Sequence, residues 1–174
     1  MSDSYPLAFV GAYPVLAMQA DFKSTPEDFQ VSEVLGFTPS GSGEHVFLHI
    51  EKIGLTTESL VLNVARALNV KARDIGLCGL KDKHAVTTQW LSVPLPIKAE
   101  IPQISGSNWR VLEATRHTRK LKRGIHKANQ FVIVLRNVTA SRELLEQRLM
   151  LISAAGVLNY FGMQRFGYDG GNLE

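Results

Sequence analysis

The hydrophobic pattern changes period several times along the chain, and each change marks an element. After a turn at Thr25-Pro26, Phe29 and Val31 lie two apart, which predicts a half-buried strand. A polar loop over residues 38–43 leads into residues 45–51. There Val46, Leu48 and Ile50 share one face of a predicted strand, and His45, Phe47, His49 and Glu51 share the other. The period then becomes helical: Thr56-Thr57-Glu58 offers an N-cap and a first-turn acid, and Leu60, Val61, Val64, Ala65 and Leu68 recur at three- and four-residue steps. Residues 89–93 predict a further strand, stopped by Pro94 and Pro96, and residues 109–114 another. The uninterrupted apolar run of residues 132–135 suits a strand buried on both faces. Ser141 is an N-cap for a last helix with Leu144, Leu145, Leu149 and Ile152 on one face and Gly156 at its C-terminal end. Residues 1–22 show no clear period and read as an extended, partly strand-like lead-in. Strands and helices that alternate this irregularly predict an α+β fold, with a mixed, mainly antiparallel sheet and helices on one side.

Composition narrows the class. The chain has 174 residues, 45% hydrophobic and 20% charged, enough for one domain with a core. Its single cysteine, Cys78, rules out an internal disulfide framework and a Cys-rich metal site, and favours a reducing, cytoplasmic setting. The longest apolar runs are about eight residues, short of a membrane span, and the first residues lack a basic secretory start. His45 and His49 share a strand face but sit about 13 Å apart at 3.3 Å per residue, too far to chelate one ion, so they read as strand surface. No internal repeat, Walker-type loop, dinucleotide-binding glycine pattern or Gly-x-Ser-x-Gly elbow is present.

Charge is more informative in its distribution than in its sum. The net charge is only +3, yet residues 110–127 carry Arg110, Arg116, Arg119, Lys120, Lys122, Arg123 and Lys127 against one acid, Glu113. Such a concentration makes a polyanion such as nucleic acid a candidate partner.

The stretch that bears candidate chemistry is residues 76–89. Gly76 and Gly79 allow a sharp turn, and Asp82 follows between Lys81 and Lys83 with His84 close behind. Neighbouring cations hold a carboxylate ionised, as a nucleophile or general base requires. Taken alone, a Lys-Asp-Lys turn is by default a solvated loop. Asn129 and Phe131, two apart at the entry to a strand, likewise read by default as a turn residue and a core ring. Residues 157–174 crowd aromatics, amides, Arg165 and four glycines together, which suits stacking on bases and contact with phosphates, or aromatic packing of the module.

Three separated signatures carry a resemblance. Pro26-Glu27-Asp28-Phe29 followed by Gly43-Glu44-His45, then Gly79-Leu80-Lys81-Asp82-Lys83-His84-Ala85-Val86-Thr87, then Asn159-Tyr160-Phe161-Gly162-Met163-Gln164-Arg165-Phe166-Gly167 resemble, in order, the TruD family of tRNA pseudouridine synthases. The resemblance implies an enzyme that isomerises a uridine of tRNA, at position 13 by family analogy, to pseudouridine without metal or cofactor. It implies that Asp82 is the catalytic aspartate, that Lys23 pairs with it, and that Phe131 stacks on the target base. Asn129 and Phe29 would be companions in the pocket, and residues 159–167 would help form the cleft floor. Arg116, Arg119, Lys120, Lys122 and Arg123 are then candidate contacts to the RNA backbone, with tRNA as partner. Family members are longer, so residues 1–174 are expected to be the N-terminal part of the catalytic domain, without its second half or the family's inserted domain. A noncatalytic RNA-binding fragment is the alternative.

Overall fold

A computed structural model describes residues 13, 14 and 18–158 of the chain. The chain divides into two compact units, residues 21–136 and residues 1–20 with 137–174.

The strands of the first unit are β1 (Asp21–Phe22), β2 (Phe29–Val34), β3 (His45–Ile53), β4 (Gly76–Leu77), β5 (Val86–Pro94), β6 (Ser105–Gly106), β7 (Trp109–His117), β8 (Ala128–Ile133) and β9 (Leu135–Arg136), and its helix is α1 (Thr57–Ala67). Seven strands form one sheet in the order β6-β7-β3-β5-β2-β8, with β4 also paired to β5. Every pairing is antiparallel except β2 with β5, and β1 and β9 form a separate antiparallel ribbon. The fold is therefore α+β with a mixed, mainly antiparallel sheet.

The face read from the sequence of β3 packs as expected. Val46, Leu48 and Ile50 are buried with Leu91 and Val93 of β5 against Leu60, Val64 and Ala65 of α1. The helix starts where Thr56 Oγ1 accepts the Ser59 N–H, satisfying one of the free donors of the first turn. On the opposite face Phe47 and Trp90 are buried with Leu35, Cys78 and Leu121. His49 stacks flat on Trp90, centroids 4.7 Å apart, and burial lowers the pKa of both His45 and His49. These two histidines are half-buried packing residues.

Strand β8 corrects the expectation of a strand buried on both faces. All its residues are exposed, Phe131 at 53%, and the apolar run continues exposed through Val134 and Leu135. An apolar run is buried twice only if layers cover both faces, whereas β8 is the sheet's edge and pairs with β2 alone among the described residues.

In the second unit, α2 (Arg142–Ala155) is capped by Ser141 Oγ, which accepts the Leu144 N–H, and ends at Gly156 with φ +76°. Its predicted apolar face is not buried: no α2 residue reaches full burial, and Leu149 is mostly exposed. Tyr13 Oη donates to the Gly156 carbonyl, and Arg148 to that of Pro14 at 2.8 Å. Among the described residues no helix is long and apolar enough to cross a membrane. The signature at residues 159–167 and most of the lead-in lie outside the described residues.

Candidate active site

The loop between β4 and β5 is held from four directions. Gly76 is needed for close approach rather than for its backbone angle: neither Gly76 nor Gly79 has positive φ, but a Cβ on Gly76 would lie 2.4 Å from the Leu121 carbonyl oxygen. The Cys78 carbonyl accepts the Gly124 N–H at 2.8 Å. The Lys81 N–H donates to Thr57 Oγ1 at 2.9 Å, whose hydroxyl donates to Gln89 Oε1 at 3.0 Å. The Lys81 ammonium, 5% exposed, pairs at 2.6 Å with the fully buried carboxylate of Glu33. Lys52 Nζ donates to the carbonyls of Leu55 at 2.6 Å, Asp82 at 2.7 Å and, more weakly, Lys81 at 3.5 Å.

Glu33 also repairs the sheet. Strand β5 pairs with β2 at residues 86–88 and with β4 at residues 91 and 92, and between these the Trp90 N–H donates to Glu33 Oε1 at 3.0 Å. A side-chain carboxylate stands in for the missing strand carbonyl, which a buried N–H requires.

Asp82 itself is left open. Its carboxylate lies 3.8 Å from Lys23 Nζ, with the two side chains 39% and 28% exposed. Lys23 adopts φ +56°, a left-handed conformation uncommon for a residue with a side chain, and its ammonium sits 3.8 Å from the centroid of the Phe29 ring. Phe29 meets Phe131 with centroids 6.0 Å apart. Asp82, Lys23, Phe29 and Phe131 thus form an unbroken line of contacts.

The turn before Phe29 is fixed by Asp28, whose buried carboxylate takes both ends of the Arg136 guanidinium at 2.7 and 2.8 Å and the Thr25 N–H at 3.2 Å. The hydrogen bonds from Arg136 hold its pKa below the usual carboxylate range. Asn129 lies across from Glu33, two residues from Phe131 on β8, and its amide meets His126 Nε2 at 3.3 Å.

The basic residues divide. Arg116 donates to the carbonyls of Gly43, Leu95, Pro96 and Ala99 and so ties loops together. Arg119, Lys120 and Lys122 rim a pocket of about 510 Å³ whose apolar lining includes Phe37, Phe47 and the His117 ring. Arg123 is exposed beside it in sequence. Lys120 also donates to the Arg73 carbonyl at 3.1 Å.

Among the described residues one cluster has metal-like spacing: ligand atoms of Glu33, Cys78 and His126 lie within 4.8 Å of one another. Its donors do not fit a cation. Both Glu33 oxygens are committed to Lys81 and Trp90, and burial, followed by the Glu33 charge, pushes the Cys78 thiol up to about 12.

Lys52 and Glu33 were not singled out by the sequence reading. A signal existed for the first: the core-facing positions of β3 run Val46, Leu48, Ile50 and then Lys52, a lysine where the pattern calls for an apolar residue.

Comparison with known proteins gives a consistent set. The family model for tRNA pseudouridine synthase D (TruD) matches residues 14–172. The tRNA pseudouridine synthase D of Legionella pneumophila (strain Corby) is 50% identical over 171 residues, 97% of this chain and 50% of that protein. That of Cellvibrio japonicus (strain Ueda107) is 47% identical over 97% of this chain and 52% of its own length. The chain therefore spans about half the length of these relatives. A crystal structure from Methanosarcina mazei assigned to tRNA pseudouridine synthase D superposes with a TM-score of 0.73 at 30% identity, over 85% of this chain and 35% of that one.

Proposed function

Because the chain belongs to the TruD family of tRNA pseudouridine synthases, we propose that it supplies the catalytic carboxylate of such an enzyme, with Asp82 acting on a uridine of tRNA, at position 13 by family analogy. The observation that carries this reading is the open Asp82–Lys23 pair set beside the Phe29 and Phe131 rings. Residues 1–174 are taken as the N-terminal part of the catalytic domain. Its setting is the cytoplasm.

The chemistry follows from what each group can do. Breaking the N-glycosidic bond of uridine calls for a carboxylate that attacks the anomeric carbon or removes a ribose proton, and Asp82 is available for either. Lys23 places its ammonium 3.8 Å from that carboxylate. The detached uracil has to rotate and rejoin through C5, so it must be retained as a free base. Phe131, whose ring is half exposed, is suited to stack on it. A base within folded RNA has to be flipped out at a cost of about a few kcal/mol. Phosphate contacts from Arg119, Lys120, Lys122 and Arg123 would offset part of that cost. Arg116, with its donors on protein carbonyls, contributes by shaping the loops behind them.

The test is Asp82→Asn in the full-length enzyme carrying this segment, with pseudouridine in tRNA read by carbodiimide mapping or mass spectrometry. Undiminished product in the variant would end the assignment.

A second reading is favoured by one observation, that Arg119, Lys120 and Lys122 gather around one pocket. The 174-residue chain would then act as a noncatalytic RNA-binding fragment. It predicts salt-dependent tRNA binding without turnover, and absence of binding at low salt would remove it.

A further inference from the structure

The core-facing positions of β3 end on a charge. Lys52 is fully buried, yet it continues the face that presents Val46, Leu48 and Ile50 to α1. An ammonium removed from water needs its protons bonded, and Lys52 Nζ reaches carbonyls of Leu55, Asp82 and Lys81. Two of those three carbonyls belong to the loop that bears the reactive carboxylate, and the 2.7 Å bond is to the carbonyl of Asp82 itself.

We infer that Lys52 is a positioning residue for Asp82: its ammonium ties the main chain of residues 81 and 82 to the turn before α1, fixing the point from which the Asp82 side chain reaches Lys23. This rests on the reading of Asp82 given above. Thr57 Oγ1, on the Lys81 N–H, and Glu33, on the Lys81 side chain, hold the same loop from other sides. Neither of them contacts Asp82, whereas Lys52 does.

The charged groups around Lys52 are Asp82 and Lys81 from the loop and Glu58 from the first turn of α1. Burial is the largest influence and lowers Lys52 from the ordinary 10.5 to about 8, while the charge of Asp82 opposes that shift. The sign of the consequence separates positioning from simple support. Between about pH 8 and 10.5 the unfolded chain holds the proton that the folded chain has lost, so stability rises with pH across that window. Positioning by the ammonium requires the opposite trend in activity, a fall as Lys52 loses its proton above about pH 8. A side chain that only supports the fold would let activity follow stability.

Two measurements test this. In the full-length synthase carrying this segment, steady-state pseudouridine formation is followed from pH 6.5 to 9 for the wild type, Lys52→Arg and Lys52→Met. Lys52→Met is expected to lose about a hundredfold in kcat with KM for tRNA little changed, and to lack the step near pH 8. Lys52→Arg, which stays charged, should recover part of the rate and also lack the step. A wild-type step that persists in both variants, or a Lys52→Met enzyme of full rate, overturns the inference. The second measurement needs no variant. In the 174-residue wild type, the Asp82 carboxyl carbon signal in NMR should move in a separate step coincident with the Lys52 side-chain titration, and its absence would also overturn the inference. A wild-type enzyme that forms no pseudouridine refutes the proposed function instead, and the NMR titration still decides whether Lys52 is coupled to Asp82.

Discussion

Lys81 and Asp82 are neighbours in sequence and opposites in environment. The Lys81–Glu33 pair is sealed at 2.6 Å with almost no exposure, whereas the Asp82–Lys23 pair is longer, 3.8 Å, and open to solvent on both sides. The sealed pair cannot reach a substrate, but it ties the loop to β2 and, through Glu33, closes the gap in the β5 ladder. The open pair adds little stability, since exposed ion pairs contribute about 0–1 kcal/mol, but it leaves a charged carboxylate accessible. One short loop thus holds a sealed anchor and an accessible carboxylate on adjacent residues.

That contrast can be broken most severely at the open carboxylate. Asp82→Asn in the full-length enzyme is expected to reduce pseudouridine formation by at least about a thousandfold, as removal of a reacting group does. Its urea midpoint should stay close to wild type; a large fall would mean that Asp82 belongs with the anchors. Glu33→Ala should do the converse. It strands the buried Lys81 ammonium and the Trp90 N–H and is expected to cost about 3–5 kcal/mol in urea unfolding. A loss below about 1 kcal/mol would show that the pair is not sealed in solution.

Smaller effects sharpen the open side. Phe131→Ala should weaken the reaction by about 1–3 kcal/mol in kcat/KM, the range for loss of one stacked base, while stability changes by less than about 1 kcal/mol because the ring is half exposed. Equal losses in both quantities would reassign Phe131 to packing. The mildest change is the double variant Arg119→Ala with Lys122→Ala. It should lower the slope of log affinity for tRNA against log salt by about two and leave kcat unchanged at saturating tRNA. An unaltered slope would place the RNA away from the pocket these residues rim.

Much of the fold was legible because its signals are local. The faces of β3, the helix periodicity of α1, and the caps at Thr56 and Ser141 are written within a few residues and reappear in the structure. The misreadings share one cause. An apolar run at residues 132–135 and an apolar stripe on α2 state what those segments could bury, but burial depends on what packs against them. Gly76 was misread for a related reason: its smallness answers the Leu121 carbonyl, a neighbour distant in sequence.

By itself the sequence determined the order of the longer elements and the family, and it put forward residues for the chemistry, with Asp82 foremost. These rest on periodicity and on ordered signatures, which need no knowledge of distant contacts. Only the tertiary structure decided which charges meet. Lys23, Glu33, Lys52 and Thr57 come from four separate segments, and only the register of β2, β3 and β5 together with the placement of α1 brings them around residues 81 and 82. Whether a charged side chain becomes an anchor or a reagent is set by the water left around it, and that is a property of the packed sheet.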